Sequence, residues 1–308
     1  MAHAVTTPPA PIRSAASGLL VYGVPTGEDN LTWVIATAQG EAAIVDGPDA
    51  GAALALIERE GLELREVWNT HVHGDHVGVN RDLARRGLLA GLCVRGPAGA
   101  ADRVPGLSEA VAEGSRFELG GATVEVLHTP GHVDEHVVFV VGDLLFSGDT
   151  LFTAGSGYLF SGPPATMHRS LSRLSLLDPA TRVLCAHEYT QDNLRFAWSV
   201  EPGNGALAAR IRDTWARRGR GETVVPSTLA DELETNPFLR TGSPEIVEAV
   251  LGRAEDAARP PAAEIYAAIR ALKDSRAYRA RGDSGLPLDP PVPAEAEPGV
   301  PGVSPQRS

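Results

Sequence analysis

The segment Thr70-His71-Val72-His73-Gly74-Asp75-His76 constrains this chain more than any other. It places three histidines and an aspartate directly after an apolar run and at the start of a helical pattern. In an extended segment His71 and His73 are two apart and project to one side. Asp75 and His76 are adjacent, so they point in different directions and can serve a second ion. Neutral imidazoles and a carboxylate suit Zn²⁺, Fe or Mn. A fold built around this segment must gather further donors beside it.

Three such donors stand singly, each closing a strand-like run. His132 follows Thr123–His128, Asp149 follows Leu144–Ser147, and His187 follows Arg182–Ala186. Strand ends along one rim of a sheet are where ligand sites gather. The full set is then five histidines and two aspartates, which suits two ions sharing one carboxylate. Asp149 has no local carboxylate partner and is the expected bridge.

The rest of the chain says how these ends are brought together. Apolar runs at Leu19–Val24, Leu31–Ala38, Ala42–Asp46, Val67–Thr70 and Val137–Val141 join the three above. Helical patterns fall between some of them, at Gly51–Glu60, Val77–Arg86 and Ala165–Leu177. That order predicts an α/β mixed sheet or sandwich covered by helices. After His187 the pattern is helical only: Asn193–Val200, Ala206–Arg217, Glu245–Ala258 and Ala262–Ala277, with no strand of comparable quality. Prolines mark two of these helix starts. The expected organisation is a tail over 1–17, a catalytic domain over 18–187, a small all-α domain over 188–281 and a Pro-rich tail over 282–308. Both tails lack the apolar residues that offset ordering entropy, so disorder is expected there.

A net charge of −12 argues against a broad basic face for nucleic acid or an anionic membrane. No apolar run approaches the ~18 residues of a membrane span, and residues 1–17 offer no apolar core for a signal peptide. The expectation is a cytoplasmic monomer acting on a small molecule. Cys93 and Cys185 each sit in an apolar stretch and read as buried thiols. His128 and His136 read as packing or support for His132, and Asp46 as a cap or an orienter of a ligand histidine. His168 and His3 carry no expected role.

The motifs resemble the metallo-β-lactamase superfamily, and one branch of it, the glyoxalase II (hydroxyacylglutathione hydrolase) family. Beyond the metal motif, the resemblance rests on Gly148-Asp149-Thr150-Leu151-Phe152, Cys185-Ala186-His187-Glu188-Tyr189-Thr190, Glu201-Pro202-Gly203-Asn204, Val225-Pro226-Ser227-Thr228-Leu229 and Asn236-Pro237-Phe238. It covers about Leu19 to Ala280. It implies an αββα sandwich, the metallo-β-lactamase fold, followed by a helical substrate-binding domain. By the same resemblance His71, His73 and His132 hold one ion, Asp75, His76 and His187 the other, and Asp149 bridges them. Tyr189 and Asn193 would contact the thiol carrier, and Arg270 and Lys273 would grip a substrate carboxylate. Those two lie three apart on one helix face, a spacing that can clamp an anion. Tyr158 and Phe160 would also line the substrate path. Here the sequence departs from the family, which usually has a basic residue where Tyr158 stands; where Phe160 stands the family often has tyrosine and sometimes phenylalanine. A well-made charge-assisted contact is of order 1.5–3 kcal/mol.

The chemistry this implies is hydrolysis of a small-thiol thioester such as S-D-lactoylglutathione. Two divalent ions, Zn²⁺ first and Fe or Mn next, against two aspartates and one hydroxide leave a local charge of about +1, which lowers the pKa of shared water. Asp75 and Asp149 hold that catalytic pair. A mononuclear-iron persulfide dioxygenase would use His71, His132 and Asp149 and leave Asp75, His76 and His187 idle. A non-catalytic metal protein would be expected to have a closed, Cys-rich site.

Overall fold

The computed structural model describes residues 5–252 and 260–288. Two sheets lie face to face with helices on their outer surfaces. The first sheet runs, in spatial order, β1 (Ile12–Arg13), β2 (Leu20–Thr26), β3 (Asn30–Ala36), β4 (Glu41–Val45), β5 (Glu63–Trp68), β6 (Cys93–Pro97) and β7 (Glu109–Val111). The second contains β8 (Arg116–Leu119), β9 (Ala122–His128), β10 (Val137–Val141) and β11 (Leu144–Gly148). A short hairpin, β12 (Leu151–Phe152) with β13 (Gly155–Ser156), leads away from it; β14 (Arg182–Cys185) and β15 (Ser227–Thr228) complete the sheet.

Period-two alternation assigns the faces. In β3, Trp33 and Ile35 point into the inter-sheet core while Val34 points out toward α1 (Gly51–Arg59) and α2 (Gly78–Arg85). In β10, Val137, Phe139 and Val141 face inward, and Val138 faces α3 (Pro164–Leu174). Trp68 is fully buried between the sheets, its ring 5.2 Å from Phe139 and 6.3 Å from Phe146. The result is the expected αββα sandwich.

After His187 come α4 (Thr190–Val200), α5 (Gly205–Gly219), α6 (Leu229–Thr235), α7 (Pro244–Leu251) and α8 (Ala262–Ser275). Ile265, Tyr266 and Ile269 of α8 share one core with Met167 and Leu171 of α3. The helical part is thus cemented to the sandwich by buried apolar surface.

Several expectations need correction. Residues 5–17, read as part of a disordered tail, are ordered: Ile12 pairs with Val21, and the buried Ser14 donates its hydroxyl to Asp143. Residues 282–288 dock on α4 and α5, with Trp198 Nε1 donating to the Gly285 carbonyl (2.7 Å) and Leu286 and Leu288, like Trp198 and Trp215, packed against the buried cluster of Leu194, Leu207 and Ile211. A few anchored side chains suffice where average composition suggests none. Residues 289–308, and residues 1–4 with His3, lie outside the described residues. A strand does occur after His187: β15 pairs with β14 at the sheet edge. The helix expected over Glu245–Ala258 ends at Leu251, where Gly252 turns left-handed; residues 253–258 lie outside the described residues.

Candidate metal centre

The donors converge because of strand direction. β9 and β11 are both antiparallel to β10, and β14 runs parallel to β11. Their C-terminal ends therefore share one rim, which delivers His132, Asp149 and His187 to the same place. The loop after β5 brings His71, His73, Asp75 and His76 to it from the facing sheet. Gly148 permits this closeness. Its φ is +48°, and a Cβ there would lie 2.5 Å from Thr70 Oγ1.

The donor atoms form three overlapping groups: His71–His73–His132, His71–His76–Asp149 and Asp75–His76–His187, each with ligand atoms within 4.8 Å of one another. Two ligands about 2.05 Å from a tetrahedral ion stand roughly 3.3 Å apart. The spacings here match: His132 Nε2 to Asp149 Oδ2 is 3.3 Å, His187 Nε2 to Asp75 Oδ2 is 3.4 Å, and His76 and His187 Nε2 are each 3.5 Å from Asp149 Oδ1. His73 Nδ1 is closer, 2.9 Å from His71 Nε2 and 3.0 Å from His132 Nε2. Asp149 thus turns one oxygen toward each end of the cluster. Its Oδ1 and His76 Nε2 are buried without hydrogen-bond partners, a costly state that a bound cation relieves. The donor set fits two divalent ions.

The other ring nitrogens are held from outside. His132 Nδ1 donates to the Tyr158 carbonyl (2.7 Å), His187 Nδ1 meets Asp29 Oδ1 (2.8 Å), and His76 Nδ1 faces Asp46 Oδ2 (3.0 Å). Each contact fixes ring orientation and turns Nε2 inward. Asp46 also accepts from the Thr70 backbone and hydroxyl (2.9 and 2.7 Å), so its orienting role, read from sequence as one of two options, is the one the fold uses. His136 accepts from the Asp149 backbone N–H (3.1 Å) and is support, as expected; His168, in α3, lies near Tyr266 of α8.

The sequence did not reveal Asp29 and Asn30. Asp29 closes the β2–β3 turn and Asn30 opens β3, where Asp-Asn reads as ordinary turn chemistry. Asn30 Nδ2 donates to Asp75 Oδ2 (3.2 Å), so this one turn steadies two donors of the same set. The electrostatics agree. Burial opposes charge on His187, yet Asp149, Asp29 and Asp75 hold its pKa up at about 10. Burial also works against charge on Asp75, and His187, His76 and Asn30 overcome it to hold the carboxyl far below the usual range. Burial drives His71 well below its usual value, leaving a neutral donor. The field of these carboxylates favours cations.

Around the mouth, Phe160 meets His73 and His132 edge-on (4.9 and 5.2 Å between rings), Tyr158 meets Phe160 (5.0 Å), and Tyr189 stacks on His187 (4.9 Å, 3°). The other three expected substrate contacts are engaged internally. Asn193 Nδ2 donates to the Thr153 carbonyl (3.0 Å), Arg270 Nη1 to the Ser156 carbonyl (3.1 Å), and Lys273 Nζ to Asp192 Oδ2 (2.9 Å).

Comparison with known proteins agrees with this geometry. The sandwich resembles a B3 metallo-beta-lactamase, BLEG-1 (TM-score 0.53, 21% identity, covering 71% of this chain and 99% of that one), and ETHE1 from Myxococcus xanthus (TM-score 0.51, 23% identity, covering 80% and 94%). Residues 25–187 match the metallo-beta-lactamase superfamily, and residues 188–276 match the family described as hydroxyacylglutathione hydrolase C-terminus. A hydroxyacylglutathione hydrolase of Methylococcus capsulatus is 45% identical, covering 83% of this chain and 98% of its own length. Another, of Acidiphilium cryptum, is 44% identical, covering 74% and 93%. With both halves matched in order, the chain belongs to the hydroxyacylglutathione hydrolase family of the metallo-β-lactamase superfamily.

Proposed function

We propose that this protein hydrolyses thioesters of small 2-hydroxy acids carried on a low-molecular-weight thiol, with S-D-lactoylglutathione as the reference substrate and D-lactate as product. The observation that carries the reading is the double donor set divided by Asp149. His71, His73 and His132 would hold one divalent ion; Asp75, His76 and His187 would hold the other. Such ions supply an activated water and positive charge for a developing oxyanion.

The chain's own groups perform the rest. Asp149 lies between the donor sets, and Asp29, Asp46 and the Tyr158 carbonyl keep three imidazoles aimed. Among the described residues, two nearby nucleophiles are withdrawn: burial pushes the Cys185 thiol up to about 12, and the Ser147 hydroxyl is donated to the Leu151 carbonyl. The departing thiol has an ordinary pKa of ~8.5 and leaves as thiolate without a dedicated acid. Tyr158, Phe160 and Tyr189 offer the carrier an aromatic surface at the mouth. The intact second set argues against a mononuclear dioxygenase.

Metal-replete protein should release D-lactate from S-D-lactoylglutathione, and His73→Ala should abolish it. Full turnover after chelation to below one ion per chain would refute the reading.

A further inference from the structure

The hairpin β12–β13 is a loop out of the metal centre and back to it. It leaves at Asp149 and returns at Tyr158, whose carbonyl accepts from His132 Nδ1 (2.7 Å). The return is tight: a Cβ on Gly157 would lie 2.0 Å from the Asp149 carbonyl oxygen. Leu151 pairs with Ser156 and Phe152 with Gly155, so Thr153 and Ala154 make the two-residue turn. Ala154 takes φ +56°, a left-handed conformation that penalises a residue with a Cβ. Such a conformation persists where its surroundings over-determine it.

The surroundings here belong to the helical part. Glu232 of α6 is fully buried, and its Oε2 accepts from the Ala154 backbone N–H (2.8 Å) and from Asn236 Nδ2 (2.8 Å). Its Oε1 accepts from the Ser227 hydroxyl (2.6 Å) and from Arg210. Asn236, also fully buried, donates to the Gly155 and Phe152 carbonyls (3.0 and 3.3 Å) and accepts from the Phe238 backbone N–H (3.1 Å). Four donors thus converge on one carboxylate that lies 78 positions after the turn it holds. An amide in its place would aim its NH₂ at two of those donors, and a buried donor without an acceptor is costly.

We infer that Glu232, together with Asn236, is a positioning residue for metal binding: by fixing the hairpin tip from the helical part, it keeps Asp149 and the acceptor of His132 in register. It acts through the backbone and not as a ligand. The inference rests on the metal-centre reading and adds to it a dependence on the second domain. The test uses the full-length chain, with zinc titrated against a chromophoric chelator. Glu232→Gln should weaken at least one zinc constant about tenfold, the lower end of what losing a partner of a ligating imidazole costs. Adding Ala154→Gly should recover most of that loss, because glycine takes the turn conformation without being held. Ile246→Ala is the control for lost stability alone. Ile246 is buried in α7, which packs on α4 and α8, and its truncation should lower Tm and leave zinc binding unchanged. Linkage requires the converse in the wild-type protein: hydrogen exchange over residues 151–156 should accelerate when zinc is removed, a readout that serves even if Glu232→Gln does not fold. Unchanged zinc constants in Glu232→Gln, an equal loss in Ile246→Ala, a loss that Ala154→Gly does not recover, or exchange indifferent to zinc overturns the inference. Wild-type protein that binds only one ion overturns the two-ion reading instead, and the effect of Glu232→Gln on that one constant still decides this inference.

Discussion

Replacing Asp29 by asparagine removes the charge that orients His187 while keeping a side chain of the same shape. A partner of this kind behind a ligating imidazole contributes about 10–100-fold in metal affinity, roughly 1.4–2.7 kcal/mol. Position within that range follows from burial. The Asp29 side chain is 36% exposed and meets only one ring nitrogen of the donor set, at 2.8 Å, so its loss should cost about tenfold. Asp46 is 4% exposed, faces His76 at 3.0 Å and also fixes Thr70 through two hydrogen bonds. Asp46→Asn should therefore approach the hundredfold end. Titration against a chromophoric chelator resolves the two ions as separate constants. One of the two constants should fall in both variants, further for Asp46→Asn, while the other changes little. Loss spread equally over both ions, or a larger effect from Asp29→Asn, would refute the argument that these carboxylates act on the Asp75–His76–His187 set.

Other outcomes follow from the same geometry. Gly148→Ala places a Cβ 2.5 Å from Thr70 Oγ1 at φ +48°; strain of about 1–3 kcal/mol is expected, visible as a lower Tm and as reduced metal content. Burial outweighs Asp192 and pushes the Lys273 amine down to about 8. As the sole lysine it should titrate there in an NMR experiment, and a midpoint near 10.5 would contradict its burial. Phe139→Ala, in the fully buried contact with Trp68, should cost about 3–5 kcal/mol in denaturant unfolding.

The donors were legible because metal chemistry admits few residue types and the strand ends locate them. The alternating apolar runs pointed to a mixed sheet or sandwich covered by helices, and the family resemblance narrowed this to αββα. β6 and β7 escaped because Gly96-Pro97 reads as a break and Glu109–Val111 is only three residues long. Asp29 and Asn30 escaped because a turn explains them without any site. Arg270 and Lys273 have clamp spacing on a helix, but spacing does not say which face is buried; their partners Ser156 and Asp192 lie about a hundred positions earlier. Asp192 itself stood unremarked beside Asn193.

The stretch from Ser156 to Phe160 belongs to two structures at once. One of its carbonyls aims His132, another receives Arg270 from α8, and its aromatic rings form the doorway. Grafting a foreign helical tail onto this sandwich to change substrate taste would therefore disturb the grip on metal as well. In this architecture selectivity and reactivity are inherited together, through five consecutive residues.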